Sequence, residues 1–340
     1  MKLILHVGAG KTGTSSIQKM LKDNRSLLKE EGVWYLGMLL EFAERKFEWQ
    51  RPSLTRKFLN MDRDLLRNQL TEVMIPTIKQ AKKEGMHALI WSNEAFFGAK
   101  PEFIDVLHEV EKEVDDIEIL AYVRRHHEWV KSAYVQWGIK HKTYKGKVKP
   151  FSQWIKKRDI GFFSKIDRWE QGFPGKVRVR NMSAADDVCA DFLQYLGMKN
   201  IEKYQWEMRN RALGDEELLL RVLFNDQYDE RIKAKHFDLI FGEEIPSDGM
   251  EKFLESYLPS TAELKDIARV SEEDRKKINE LLSKEGQDIL DAREPKEKNI
   301  EIDHDRMMLL LANMVMMQSK KIVELEKRLP MKKANGKQDD

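Results

Sequence analysis

The amino-terminal segment constrains the fold more than any other part of the chain. An apolar run from Leu3 to Val7 leads directly into Gly-Ala-Gly-Lys-Thr-Gly-Thr, and apolar side chains recur at helical intervals from Ser15 onward. This pattern predicts a strand, a glycine-rich loop and a helix, in that order. Such a loop points several backbone N–H groups at one spot, next to the positive end of the helix. We therefore predict an anion site over residues 8–16.

The side chains of this loop suit the same purpose. Lys11 supplies a mobile positive charge, and hydroxyl donors come from Thr12, Thr14 and Ser15. A phosphate or a group of similar shape and charge is the ligand that such a set of donors favours. A glycine-rich turn that binds nothing is the alternative, and the number of donors that converge here argues against it.

Four further apolar segments predict strands. They are Val33–Leu36, His87–Trp91, Ile117–Val123 and Val177–Arg180, with helical patterns between them. Strands that alternate with helices predict a parallel sheet covered by helices on both sides. The run from Ile117 to Val123 is almost continuously apolar, as expected for a strand that is buried on both faces. The predicted fold class is α/β, a three-layer α/β/α arrangement of the P-loop type around a central parallel sheet, with a helical carboxyl-terminal half.

Helices are predicted at several places along the chain. The segment Leu65–Glu84 has a helical pattern that Pro76 is expected to kink or divide. In the carboxyl-terminal half the helical segments are Asp186–Leu196, Asp215–Asn225 and Ser271–Leu290. From Met308 to Leu329 the apolar residues follow alternating steps of three and four, which is typical of a heptad repeat.

These patterns predict the domain organisation. We expect an α/β domain over residues 1–297, mainly helical over 186–297, an amphipathic heptad-like helix over 298–330, and a disordered tail over 331–340. The heptad-like helix either packs on its own domain or pairs with a second copy of the chain. A homo-oligomer through this helix is therefore one expected partner.

Composition excludes several classes of protein. Hydrophobic residues make up 41% of the chain and charged residues 35%, and the formal net charge of +2 indicates no nucleic-acid partner. Cys189 is the only cysteine, so no disulfide can form within the chain, as in a reducing compartment. No apolar run reaches the length of a signal-peptide core or a transmembrane helix. We expect a cytoplasmic protein without a transmembrane segment.

A nucleoside-triphosphate P-loop is the first alternative interpretation of Lys11. The Walker pattern needs a glycine five residues before Gly10, and this chain has Leu5 there, inside the predicted strand. The strand that ends at Trp91 leads to Ser92-Asn93-Glu94 rather than directly to an acidic residue. The match is partial, so a P-loop nucleotide kinase or hydrolase remains the alternative.

The segment from His6 to Gln18 resembles the 5′-phosphosulfate loop of sulfotransferases that use 3′-phosphoadenosine 5′-phosphosulfate (PAPS). The similarity is greatest to the prokaryotic and carbohydrate-type branch, whose hallmark Lys-Thr-Gly-Thr stands at residues 11–14. The resemblance implies that this loop binds the phosphosulfate of PAPS, without a metal. The implied donor-binding residues are Gly10, Lys11, Thr12, Gly13, Thr14 and Ser15.

A second motif resembles the 3′-phosphate site of the same family. The strand that ends at Val123 is followed by Arg124, and Ser132 comes eight residues later. An arginine at the end of a strand can donate to two phosphate oxygens, and a serine two helical turns on can approach the same group. Because a 3′-phosphate distinguishes PAPS from ATP, this pair favours the sulfotransferase hypothesis.

Glu94 is the candidate base for the acceptor hydroxyl. It follows the third strand on the same edge of the predicted sheet as the loop, and the resemblance implies a catalytic glutamate at such a position. The alternative role is to stabilise the start of the next helix. His126 and His127 are competing bases, although they lie beside Arg124, and His6 is expected to be a buried, hydrogen-bonded residue.

The acceptor is less well specified. Residues 139–158 contain eight Lys or Arg residues and no acid, interleaved with aromatic and histidine side chains: His141, Tyr144, Phe151 and Trp154. This pattern indicates either an anionic or sugar-bearing acceptor or a solvated surface segment. Trp49, Arg51 and Arg56 are candidates for an opposite wall.

We therefore expect in-line transfer of a sulfuryl group from PAPS to a hydroxyl, on a carbohydrate through the family resemblance. Glu94 would be the base, and Lys11 would stabilise the leaving phosphate of the product, adenosine 3′,5′-bisphosphate. The alternatives are a P-loop nucleotide kinase or hydrolase and a non-catalytic nucleotide- or glycan-binding module.

Overall fold

The computed structural model describes residues 1–44, 46–206, 214–233, 250–295 and 300–328. The chain divides into two compact units. Unit 1 comprises residues 1–133, 159–211 and 264–295, and unit 2 comprises residues 134–158, 212–263 and 296–340. The predicted division of the chain near residue 297 remains a prediction.

Unit 1 is built around a five-stranded parallel sheet. Its strands are β1 (Lys2–His6), β2 (Val33–Tyr35), β3 (Ala88–Ser92), β4 (Asp116–Val123) and β5 (Val177–Asn181), in the order β2-β3-β1-β4-β5. Each coincides with a strand predicted from the sequence, so the predicted α/β fold class is confirmed.

Strand β1 lies in the middle of the sheet, and its register fixes what surrounds the loop that follows. His6 is level with Ser92 of β3 on one side and with Leu120 of β4 on the other. Because all strands are parallel, the segments that follow β1, β3 and β4 emerge at the same edge. The connections diverge to either side of β1, and ligands of open α/β sheets bind at this kind of switch point.

Helices cover both faces of the sheet. The helices of unit 1 are α1 (Thr14–Asp23), α2 (Arg25–Glu30), α3 (Thr55–Leu59), α4 (Arg63–Lys83), α5 (Pro101–Glu111), α6 (His126–Tyr134, whose last residue belongs to unit 2), α8 (Phe163–Gly172), α9 (Val188–Tyr195) and α13 (Glu272–Lys284). Leu3 and Leu5 of β1 enter the core on one face, and Ile4 enters the core on the other. The strand is apolar throughout because both faces are covered.

Unit 2 is helical. Its helices are α7 (Phe151–Trp154), α10 (Asp215–Asp226), α11 (Met250–Tyr257) and α14 (His304–Arg328), together with a π-helical segment over Val135–Lys140; helix α12 (Thr261–Val270) begins in unit 2 and ends in unit 1. Lys142 is buried, and its Nζ donates to the carbonyl oxygens of Gly146 and Asn225 at 2.7 and 3.2 Å and to that of Tyr228. This ammonium group ties the basic segment to the end of α10.

Helix α14 covers the predicted heptad stripe from Met308 to Leu325. Ile322 and Leu325 are both more than half exposed, whereas Met307 is buried near the start of the helix. The predicted tail over 331–340 lies outside the described residues. Among the described helices, none is long and apolar enough to cross a membrane.

The structure refines two helix predictions. Helix α4 is not divided at Pro76, because the carbonyl that loses its partner belongs to the exposed Glu72 and water can reach it; a kink at Pro76 remains a prediction. The helix predicted to reach Leu290 ends at Lys284, where Gly286 adopts a positive φ of 65°. The N–H of Gly286 donates to Ser283 O and that of Gln287 to Leu282 O, which is a Schellman end.

Candidate functional site

The loop after β1 has the backbone geometry of an anion cradle. Lys11 and Gly13 have φ values of 70° and 84°, whereas the φ of Thr12 between them is negative. Alternation of this kind turns successive N–H groups toward the same side. Gly13 also starts α1, since its carbonyl accepts from the N–H groups of Ser16 and Ile17 at 2.9 and 3.1 Å. The positive end of α1 therefore adjoins the loop.

Two threonine hydroxyls of the loop turn inward. Thr12 Oγ1 donates to Ala9 O at 2.5 Å, and Thr14 Oγ1 donates to the same oxygen at 3.4 Å. Both side chains are buried, whereas Ser15 is exposed and Lys11 is partly exposed. The short bond makes Thr12 a brace of the loop itself. Anion binding by these side chains and by Gly10 remains a prediction.

Gly13 is required for two independent reasons. Its positive φ is a conformation that residues with a side chain rarely adopt. In addition, a Cβ at Gly13 would lie 2.8 Å from Cγ1 of Val188, the first residue of α9. Helix α9 therefore packs directly against the loop, and the chain leaves no space for a methyl group.

Gly13→Ala is expected to destabilise the protein by about 2–5 kcal/mol, from backbone strain together with overpacking against Val188. Gly85 is a matched control, because it has a φ of 74° but a methyl group added there would meet no other part of the chain within 4 Å. Gly85→Ala should cost only the backbone strain, about 1–2 kcal/mol. Urea unfolding of the two variants measures the difference, and equal losses would contradict the role of packing against Val188.

Lys11 combines a charged side chain with a strained backbone, which gives a second prediction. Lys11→Ala and Lys11→Gly both remove the ammonium group, but only glycine accepts the φ of 70° without strain. Both variants should lose anion binding, while the glycine variant should unfold with a free energy about 0.5–1 kcal/mol higher than the alanine variant. Urea unfolding compares them. A glycine variant no more stable than the alanine variant would rule out strain at Lys11.

Glu94 lies beside the helix that carries the loop. Gln18 of α1 donates through Nε2 to Glu94 Oε2 at 3.0 Å and to Ser92 O at 3.2 Å. Glu94 begins a short 3-10 helix over Glu94–Gly98, but the cap of that helix is Asn93, whose Oδ1 accepts from Ala95 N at 3.0 Å. Asn93 therefore supplies the side-chain cap, while Glu94 stands in the first turn, where its charge favours the helix N-terminus; its role as a base remains a prediction. Glu94 is only partly buried.

Of the two competing bases, His126 is held in a structural role, whereas a catalytic role for His127 remains untested. His126 is buried, and its Nε2 lies 2.8 Å from Asp274 Oδ2. The Asp274 carboxylate also accepts from the backbone N–H groups of Phe162 and Phe163, so the pair anchors the start of α8. Burial lowers the pKa of His127. His6 is fully buried and hydrogen-bonded, as predicted.

Two arginines follow β4 and have different surroundings. Arg124 is 28% exposed, and its Nε donates to Glu128 Oε2 at 3.0 Å. Arg125 is buried and donates to both carboxylate oxygens of Asp291, at 2.6 and 3.0 Å. Arg125 is therefore an anchor for the segment after α13. Arg124 directly follows β4 at the carboxyl edge of the sheet, next to the strand that carries the loop.

Helix α6 contacts the loop directly. Trp129 Nε1 donates to Gly10 O at 2.8 Å. Ser132 follows three residues later, and residues three apart are neighbours on a helix surface. Ser132 is therefore a neighbour of Trp129 on the surface of α6 and is partly exposed. A phosphate contact shared by Ser132 and Arg124 remains a prediction.

Two residues of this region carried no role in the sequence prediction. Gln18 belongs to the motif that resembles the phosphosulfate loop, and its place on α1 was the only available signal of its contact with Glu94. Trp129 lies between Arg124 and Ser132, and nothing in the sequence links it to Gly10. Trp129 joins α6 to the loop, and Gln18 joins α1 to the end of β3 and to Glu94.

Several of the candidate acceptor residues are buried in the core. Phe151 and Trp154 are buried and pack around Tyr134, with ring centroids 5.5 and 5.3 Å from it, so these two rings belong to a local core and fit neither a sugar-contacting face nor a solvated surface. Trp49 is also a core residue, 4.6 Å from the ring of Phe58. The side chains that remain exposed are Arg51, Arg56, Lys145, Lys147, Lys149, Lys156, Lys157 and Arg158; His141 and Tyr144 are partly exposed. Within the described residues no group of three or more His, Cys, Asp or Glu side chains could hold a metal ion.

Comparison with known proteins gives a distant structural similarity. No protein-family model and no curated protein matches the sequence. A sulfotransferase from Alicyclobacillus acidocaldarius aligns with a TM-score of 0.35 and 17% identity, over 65% of this chain and 91% of that one. The sulfotransferase domain of the Synechococcus PCC 7002 olefin synthase aligns with a TM-score of 0.29 and 10% identity, over 76% and 96%. At these scores the similarity decides neither family nor activity.

Proposed function

We propose that the protein is a sulfotransferase that moves a sulfuryl group from PAPS to a hydroxyl of a carbohydrate. The observation that carries the proposal is the strand order β3-β1-β4. It brings the segments that hold Glu94 and Arg124 to either side of the loop that holds Lys11. The reaction needs a base, a cradle for the phosphosulfate and a site for the second phosphate, and the proposal assigns these roles to Glu94, the Lys11 loop and Arg124.

PAPS carries two charged groups, a 5′-phosphosulfate and a 3′-phosphate, and the proposal places the first at the Lys11 loop and the second at Arg124. The loop amides and Lys11 suit the 5′-phosphosulfate, because several oriented N–H groups and one cation offset its charge without a metal. Arg124 suits the 3′-phosphate, because a guanidinium donates two parallel hydrogen bonds to phosphate oxygens. Ser132 would add a hydroxyl from the face of α6 that Trp129 holds against the loop.

The chemistry is a displacement at sulfur. The acceptor oxygen forms a bond to sulfur while the bond from sulfur to the bridging phosphate oxygen breaks, and Glu94 takes the hydroxyl proton. The leaving group is adenosine 3′,5′-bisphosphate, whose new negative charge lies where Lys11 and the loop amides stabilise it. Gln18, which contacts Glu94 at 3.0 Å, would hold this carboxylate in a fixed orientation.

A nucleotide kinase or hydrolase is the second candidate, because a glycine-rich loop after the first strand of a parallel sheet also suits a triphosphate. Such an enzyme needs Mg²⁺ between the phosphates, whereas the proposed transfer does not. A non-catalytic nucleotide- or glycan-binding module would bind the donor without turning it over.

An assay with ³⁵S-labelled PAPS in the presence of EDTA tests the proposal. We expect label to appear in at least one member of a panel of neutral, aminated and uronic-acid oligosaccharides, together with adenosine 3′,5′-bisphosphate. Donor binding without transfer to any acceptor would support the binding module. Turnover of ATP with Mg²⁺, with no use of PAPS, would support the kinase or hydrolase.

Two further properties accompany this proposal. Cys189 is the single cysteine of the chain and is buried, and burial raises its pKa to about 12, which suits a cytoplasmic enzyme.

The exposed apolar residues Ile322 and Leu325 suit a second copy of α14 as partner. Sedimentation analysis of the full chain measures that association.

A further inference from the structure

His6 is the last residue of β1 and lies directly beneath the loop. It is completely buried, with its ring between Tyr122 and Phe192 at centroid distances of 5.8 and 5.4 Å. Its Nδ1 lies 2.8 Å from Ser92 Oγ. Its Nε2 is buried as well and has no hydrogen-bond partner among the described residues. A buried polar atom without a partner is costly, so this nitrogen needs an explanation.

The imidazole is neutral, because burial lowers the pKa of His6 to about 3. It therefore carries one N–H, on either Nδ1 or Nε2, and the neighbouring groups determine which nitrogen is protonated. Ser92 is fully buried, and His6 Nδ1 is the one partner its hydroxyl has among the described residues. If Ser92 donates to Nδ1, only the Nε2–H is left unpaired. The opposite arrangement leaves both the serine hydrogen and the Nε2 lone pair unpaired, so the Nε2–H tautomer is favoured.

The Nε2–H points at the underside of the loop. A Cβ at Gly8 would lie 2.9 Å from His6 Nε2, 3.2 Å from Thr14 Oγ1 and 3.4 Å from Thr12 Oγ1. These three polar atoms therefore gather around one glycine. The hydroxyl of Thr12 is held by a bond of 2.5 Å to Ala9 O, whereas that of Thr14 makes a long contact of 3.4 Å. Thr14 is the hydroxyl that can change partners at little cost.

We propose that His6 is a positioning residue for the loop, acting through a chain of hydrogen bonds from Ser92 to His6 to Thr14. In this series of hydrogen bonds every donor points toward the loop. Ser92 donates to Nδ1, Nε2 donates to Thr14 Oγ1, and the hydroxyl of Thr14 turns from Ala9 O to an oxygen of the bound anion. The chain supplies a directed donor without adding charge, because the imidazole stays neutral.

The inference deepens the proposed function but does not depend on the identity of the donor. It requires only that an anion occupies the loop. Pyrophosphate is therefore the probe, and adenosine 3′,5′-bisphosphate is measured in parallel. If the protein binds pyrophosphate through these hydrogen bonds but does not bind the bisphosphate, the inference about His6 holds and the proposed function is contradicted. A protein that binds neither would contradict both.

The first test is ¹⁵N NMR of the histidine side chains in the full chain. We expect His6 to carry its proton on Nε2 in the free protein, and its Nε2–H resonance to shift when pyrophosphate is added. A proton on Nδ1 in the free protein would overturn the proposal, and so would an Nε2 resonance that pyrophosphate leaves unchanged. This test uses the parent protein, so it does not depend on whether a substituted chain folds.

The second test compares His6→Gln with His6→Asn. Glutamine can place an amide N–H near the position of Nε2, whereas asparagine can replace only Nδ1. His6→Gln should bind pyrophosphate within about 3-fold of the parent, and His6→Asn should bind it roughly 3- to 10-fold more weakly. The loss from His6→Asn should disappear in a Thr14→Val background. Equal losses in both variants, or a loss that persists without the Thr14 hydroxyl, would show that the ring merely fills space.

Discussion

Replacing Glu94 with glutamine is expected to lower the rate of sulfuryl transfer by roughly 10²- to 10⁴-fold, the usual contribution of a general base. Glutamine has the same shape and can keep the hydrogen bond with Gln18, but it cannot take the acceptor proton. Binding of adenosine 3′,5′-bisphosphate should stay within about 3-fold of the parent, because the loop and Arg124 are untouched. Single-turnover transfer from labelled PAPS, together with calorimetric binding, measures both quantities.

Glu102 provides the matched control for this experiment. It is an exposed glutamate in the first turn of α5, a helix that begins at Pro101 shortly after the segment of Glu94. Glu102→Gln should leave both transfer and binding unchanged. If Glu94→Gln transferred the sulfuryl group as fast as the parent, Glu94 would have no part in the mechanism.

Replacing Arg124 with alanine should separate the two ends of the donor. A charge-assisted hydrogen bond contributes about 1.5–3 kcal/mol, so adenosine 3′,5′-bisphosphate should bind roughly 10- to 150-fold more weakly. Adenosine 5′-monophosphate lacks the 3′-phosphate and should lose little. Arg124→Lys should lie between the parent and alanine, because it keeps the charge but not the planar fork. Calorimetric titration of both nucleotides gives the ratio.

Arg125 is the informative comparison, because it adjoins Arg124 in the sequence but donates to Asp291 and Glu128. Arg125→Ala should lower the thermal stability, since Asp291 loses a bidentate partner, and any effect on the two nucleotides should be equal. If Arg124→Ala weakened both nucleotides equally, Arg124 would not be a 3′-phosphate residue.

The strands of the sheet were predictable because the pattern of apolar residues in each strand reflects which of its faces are buried. Strand β4 is almost wholly apolar, as a strand covered on both faces must be. Strand β5 alternates, with Val177 and Val179 buried and Arg178 and Arg180 partly exposed. A short strand followed by glycines and a helical pattern specifies the loop in the same way. Local patterns of apolar and polar residues therefore predicted the five strands of the described chain and the loop itself.

The partners of the side chains could not be predicted by the same means. Trp129 and Gly10 are 119 residues apart, Gln18 and Glu94 are 76 apart, and His126 and Asp274 are 148 apart. Contacts at such separations leave no periodic signal in a single sequence. Aromatic residues in a basic segment are likewise ambiguous, and Phe151 and Trp154 enter a local core instead of facing a ligand.

The most direct test of the proposed donor site is calorimetric titration of the parent protein with two nucleotides. We predict that adenosine 3′,5′-bisphosphate binds in EDTA, through the Lys11 loop at one end and Arg124 at the other, and that ATP with Mg²⁺ binds weakly or not at all. Tight binding of ATP with Mg²⁺, with no binding of the bisphosphate, would contradict this prediction.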